Sequence, residues 1–213
     1  RLGYGLAAQL PEGQNTPTLP DLARLADGFY IGGTKVGALF GEALVLPHPA
    51  APADLAASSF GRCLPEAERD RAIAFRTAEP LNSHLFTIVK KRGALLAKGR
   101  MLGIQFDELF KPNAANDAEA ADAAESRYLA CGRHGVELAQ KLQRAFADTG
   151  YELAMVSPTN QVFPILSDDD RARLAPHVTY GFWERTADGR TVTRFACSWA
   201  THPEDVDALI RLL

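Results

Sequence analysis

The sequence predicts an α/β fold built in two parts, and three observations carry that expectation. Short strand-like apolar runs separated by glycine corners occupy residues 27–46, and a glycine-bearing stretch of helical periodicity follows at 85–110. A long amphipathic pattern at 127–149 then gives way to several short alternating runs bounded by turn residues, and the chain closes on a helical pattern. Between the two parts lies an Asn/Ala/Asp/Glu stretch, residues 111–126, with few apolar positions, and a boundary is expected there. The organisation is therefore residues 1–110, a linker at 111–126, and an α+β module at 127–213.

The elements follow in order. Residues 21–26, preceded by Pro20, have a short helical pattern that runs into a strand at Phe29–Ile31. After Lys35 and Gly37 a continuous apolar strand is expected up to Pro47. Residues 48–84 are rich in Pro, Ala and Ser at their start and read as an irregular excursion with a short helix near 65–76. The stretch "LFTIVKKRGALLAKGRMLGIQFDELF" has helical spacing interrupted by Gly93, Gly99 and Gly103, which implies either close backbone packing or a broken helix. In the helix at 127–149, Leu138, Leu142 and Phe146 share a face, and Gly150 is placed to stop it. Strands are expected at 151–156, 161–166, 178–185 and 191–199, with a helix start at "SDDDRARL", a hairpin at "ADGR", and a last helix from Pro203 with an acidic first turn.

Composition narrows the function classes. The 213 residues are 46% hydrophobic and 23% charged, an ordinary globular balance. A net charge of -3 with scattered basic residues gives no footprint for nucleic acid or an anionic membrane. No apolar run approaches the roughly 20 residues that span a bilayer. Cys63, Cys131 and Cys197 are odd in number and widely spaced, so neither a disulfide framework nor a metal site is suggested, and reduced thiols in the cytoplasm are expected. The five histidines supply no nominated ligand or base.

One residue raises a chemical question. Lys35 stands in "FYIGGTKVGALF", where two apolar runs meet across glycines. A lysine held between buried strands is partly desolvated, which lowers its pKa and frees the neutral amine for Schiff-base chemistry with an aldehyde. The same residues also describe an ordinary hairpin corner with a solvated lysine. The residues alone leave both readings open.

The segment "FYIGGTKVGALFGEALV" resembles the cofactor-lysine segment of the threonine aldolases, in the pyridoxal-phosphate-dependent β-eliminating lyase family. Four further segments agree in order: "RLGYGLAA", "KKRGALLAKGRMLGIQF", "SPTNQVFPIL" and "RFACSWATHPEDVDALI". The resemblance implies the C-terminal part of a fold type I enzyme, comprising the end of the large α/β domain and the small α+β domain. It implies that Lys35 carries pyridoxal 5'-phosphate as a Schiff base, with Thr34 beside it. It further implies that Arg1 and Arg194 hold the substrate carboxylate, and that Arg100 reaches cofactor phosphate from a neighbouring subunit of a homo-oligomer. The expected activity is cleavage of L-threonine or a related β-hydroxy-α-amino acid to glycine and an aldehyde. The alternatives are a β-eliminating lyase of the same fold and a non-catalytic fragment or assembly module. The family's pyridine-nitrogen aspartate, ring-stacking histidine and phosphate loop fall upstream of Arg1, and the 48–84 excursion is longer than the family usually shows.

Overall fold

The computed structural model describes residues 2–26, 28–47, 56–57, 62–78, 84–113 and 125–213. The chain divides into two compact units. One comprises Arg1–Thr16, Thr34–Ala38 and Glu108–Leu213; the other comprises Pro17–Gly33 and Leu39–Asp107.

The first unit is organised around α6 (Arg127–Asp148) and an antiparallel sheet of four strands. In chain order these are β3 (Leu153–Met155), β4 (Gln161–Leu166), β5 (Gly181–Arg185) and β6 (Thr191–Ala196); in space the order is β3-β4-β6-β5. Helix α6 begins because Ser126 caps it, its hydroxyl accepting from Leu129 N–H at 3.3 Å. It ends at Thr149 with Gly150 at φ 89°, in the left-handed region that glycine enters without strain. Its apolar stripe of Leu138, Leu142 and Phe146 packs on Val162, Leu166 and Phe195 of the sheet. Two further helices complete the layer: α7 (Asp168–Leu174), started by a capping box between Ser167 and Asp170, and α8 (Pro203–Ile210), which contributes Val206 and Leu209 to the same core. The strands are shorter than the expected runs: β3 covers Leu153–Met155, β5 Gly181–Arg185 and β6 Thr191–Ala196.

A short helix that sequence periodicity misses, α1 (Leu2–Leu6), lies against α6. The approach depends on Gly132, where a Cβ would stand 2.5 Å from the Gly3 carbonyl oxygen. Tyr128, fully buried, accepts from the Gly3 N–H at 3.1 Å and stacks on Phe110 with centroids 5.1 Å apart.

In the second unit, α2 (Leu19–Leu25) starts at a capping box between Thr18 and Asp21. It leads into β1 (Phe29–Gly32), which pairs antiparallel with β2 (Glu42–Val45) in the register Phe29↔Val45 to Gly32↔Glu42. Helix α3 (Glu66–Ala78) occupies the position expected near 65–76. The glycine-bearing stretch is a broken helix: α4 (Leu85–Lys91) stops at Gly93, φ 72°, and α5 (Arg100–Leu109) restarts seven residues later. Among the described residues nothing lies within 4 Å of where a Cβ would stand on Gly93 or Gly103, so close backbone packing there is not their reason. The continuous strand expected from Gly37 to Pro47 is also shorter, since Gly41 at φ 93° turns the chain and leaves β2 only Glu42–Val45. A side chain at Gly41 would meet the Cδ2 of Leu102 of α5. Among the described residues, no helix is long and apolar enough to cross a membrane.

Candidate active site

The connection between β1 and β2 holds the lysine. Gly33 N–H donates to the Gly41 carbonyl at 3.2 Å and closes its base. Within it residues 34–37 form a turn whose side chains divide by direction: Val36 is fully buried, while Thr34 and Lys35 are exposed. Of the two readings the sequence leaves open, the structure therefore shows the solvated turn and not a desolvated junction of two buried strands. With nine residues between the strand ends and glycines at positions 37 and 41, the chain leaves the ladder, turns, and presents the amine on the outside.

What holds that turn is the phenol of Tyr4. Tyr4 is 3% exposed, and its hydroxyl donates to the Lys35 carbonyl while accepting from Trp199 N–H at 3.3 Å. Burial pushes its pKa above the ordinary phenol value, which keeps the proton needed for the first of these bonds. The ring sits where Gly135 has no side chain; a Cβ there would lie 2.8 Å from the Tyr4 ring. One buried hydroxyl thus fixes the backbone of the lysine turn to the segment that follows β6. Sequence reasoning missed Tyr4, although it lies within the quoted "RLGYGL". The available signal was an aromatic between two glycines, matched by Gly132 and Gly135 three residues apart on α6.

Arg194 lies on β6 in the same unit as Lys35. The strand alternates as its pattern requires: Thr193 and Phe195 are buried on one face, and the other carries Val192, Arg194 and Ala196. Arg194 is half-buried, its guanidinium carbon 5.8 Å from the centroid of the Trp183 ring, and among the described residues it forms no ion pair. Arg100 is the first residue of α5, exposed, and belongs to the second unit. Arg1 lies outside the described residues.

These groups suit an anionic aldehyde cofactor. Lys35 offers a primary amine that pairs with no carboxylate among the described residues, Thr34 sets a hydroxyl beside it, and the turn that carries them is fixed from beneath by Tyr4 and Val36. The α/β chain, with its helices and antiparallel sheets, fits the C-terminal part of a fold type I pyridoxal-phosphate enzyme. The solved structure of a threonine aldolase from Leishmania major matches the whole of this chain with a TM-score of 0.71 and 32% sequence identity. The similarity to threonine aldolases carried by the sequence motifs therefore extends to the fold. The match covers 100% of this chain and 48% of that one, so the chain spans about half the length of the protein it resembles. No protein-family model and no curated protein matches the sequence.

Proposed function

We propose that this chain is part of a pyridoxal-phosphate-dependent carbon–carbon lyase that cleaves L-threonine, or a related β-hydroxy-α-amino acid, to glycine and an aldehyde. The observation that carries the reading is Lys35, exposed on a turn that the buried Tyr4 hydroxyl fixes, within a fold that matches a threonine aldolase over this whole chain.

Lys35 supplies the amine that anchors the cofactor aldehyde, and Thr34 gives a hydroxyl beside it. Bound there, pyridoxal phosphate supplies an electron sink for the pair left when the Cα–Cβ bond breaks. Arg194 and Arg1 grip the substrate carboxylate and fix rotation about the bond to nitrogen, which selects the bond that breaks. The β-hydroxyl gives up its proton to a base, the electron pair of that O–H bond becomes the second C–O bond of the aldehyde, the Cα–Cβ pair stays with Cα, and a proton returns to Cα to leave glycine. Arg100 holds the cofactor phosphate across a subunit boundary, so the enzyme is a homo-oligomer. The same reading assigns residues 1–110 to the large domain, 111–126 to a linker and 127–213 to the small domain. Free, widely spaced cysteines support a cytoplasmic location.

The test is to treat the complete enzyme with pyridoxal phosphate, trap it with borohydride, and map the modified peptide. The label is expected on Lys35, with aldehyde released from threonine or another β-hydroxy amino acid. A label confined to another lysine overturns the assignment. Release of ammonia and a keto acid without aldehyde moves the reaction to β-elimination on the same fold, and a correctly labelled protein inert toward both substrate types supports the assembly-module alternative.

A further inference from the structure

We propose that Trp183 is a positioning residue for Arg194, holding the guanidinium by its face so that its hydrogen-bonding edge is left for a substrate carboxylate. The inference rests on the carboxylate role given to Arg194 above and adds the residue that sets the orientation of its side chain.

The geometry begins in the β5–β6 ladder. Arg194 is paired with Gly181, and no side chain stands across from it. The guanidinium folds over that glycine, with Nη2 and Nε 3.5 and 3.6 Å from where its Cβ would be. Two residues along β5, Trp183 presents its ring to the guanidinium at 5.8 Å. Trp183 is 47% exposed, yet its ring is not loose: it meets Phe163 edge-on, centroids 5.1 Å apart and planes at 70°. Phe163 in turn is buried with Ile165 and Val192. The core of the sheet therefore fixes Phe163, Phe163 fixes Trp183, and Trp183 holds Arg194.

How the guanidinium is held decides what it can do. An arginine kept in place by a structural carboxylate spends its N–H edge on that partner. Arg194 has no such partner among the described residues; its contact is through the π face, which consumes no N–H donor. Stacking removes much of the rotational freedom of a long side chain before any ligand arrives, and less is lost when a planar anion binds in two-point fashion. The expected signature is weakened binding of carboxylate with little change in the chemical step.

Trp183→Leu in the complete enzyme is expected to raise KM for threonine about two- to fivefold, with kcat nearly unchanged. Trp183→Phe is expected to recover most of that loss, since it keeps a ring face. A second reading uses no turnover: with 5-fluorotryptophan incorporated in the complete enzyme, the fluorine resonance of Trp183, assigned by its loss in Trp183→Phe, is expected to move on titration with glycine. The movement should vanish in Arg194→Ala. If Arg194→Ala impairs KM while Trp183→Leu keeps the parental value, or if the Trp183 resonance ignores glycine, the positioning role is overturned and the carboxylate role stands. If the leucine and phenylalanine variants lose kcat and melting temperature alike with KM unchanged, Trp183 is only a packing residue. An Arg194→Ala enzyme with parental KM removes the carboxylate reading and this inference with it. Should Trp183→Leu fail to fold, the fluorine titration of the unmutated sequence decides.

Discussion

A single hydroxyl controls the surroundings of Lys35. Removing it as Tyr4→Phe leaves the ring in its slot against Gly135 but orphans the Lys35 carbonyl and the Trp199 N–H, two polar groups it now satisfies. Each of these two part-buried bonds is worth a net ~0.5–1.5 kcal/mol, so Tyr4→Phe is expected to lose roughly 1–3 kcal/mol of stability in a urea titration. Its rate of borohydride-trapped labelling at Lys35, normalised to the folded fraction, should also fall, because the turn loses its fixed point. Lys141, ion-paired with Asp207, is the internal reference, and its labelling should not change. Equal Lys35-to-Lys141 labelling ratios in both proteins would show that Tyr4 does not govern the lysine. At this scale the sequence was partly legible. Lys35 and Arg194 could be nominated from motif and strand alternation, whereas the contacts of Tyr4 and Trp183 could not, because each is made with a residue more than ten positions away in the chain. The exposure of Lys35 was one of two readings the residues left open, and the structure chooses the solvated turn.

Among the elements, α6 was the most legible and β2 the least, for a reason that separates the two kinds of glycine. A helix written in a 3.6-residue period with Ser126 and Gly150 at its ends declares its own limits, whereas the limits of β2 are set by Leu102 of α5 filling the place where Gly41 has no side chain. The same distinction yields paired substitutions. Alanine within a helix gains up to about 1 kcal/mol over glycine when nothing is in the way. At Gly103 of α5 nothing lies within 4 Å, so Gly103→Ala is expected to stabilise by about 0.5–1 kcal/mol. At Gly132 of α6 the new methyl would sit 2.5 Å from the Gly3 carbonyl oxygen and 2.8 Å from its carbon, backbone atoms that cannot rotate aside. Overpacking of that kind costs typically 1–3 kcal/mol, which outweighs the propensity gain, so Gly132→Ala is expected to destabilise. Urea midpoints of the two variants should move in opposite directions. A stabilised Gly132→Ala would mean that α1 does not pack on α6 as described.

Across the whole molecule the two units differ in how much apolar surface they bury, and this sets the expected order of opening. In the first unit Phe146, Val162, Leu166 and Leu174 are fully buried, β4 is paired on both edges by β3 and β6, and β6 by β4 and β5. In the second unit Ile31 is buried, but Tyr30 is 66% exposed and Leu44 55%, and among the described residues β1 and β2 have only each other for pairing. A two-stranded hairpin is marginal in water without a covered apolar face. Local opening draws on segments with few buried contacts, while amides in a fully packed sheet exchange only when the whole unit unfolds. Hydrogen exchange followed by mass spectrometry of this chain is therefore expected to show β4, β6 and α6 peptides protected on the order of a hundredfold or more above β1 and β2 peptides, a difference of about 2.7 kcal/mol in opening free energy. Adding urea below the main transition should release the β1–β2 peptides first and leave the sheet peptides unchanged. Protection that is uniform across both units, lost at one denaturant concentration, would mean that the β1–β2 pair opens only with the whole chain and that its exposed apolar residues do not lower its stability.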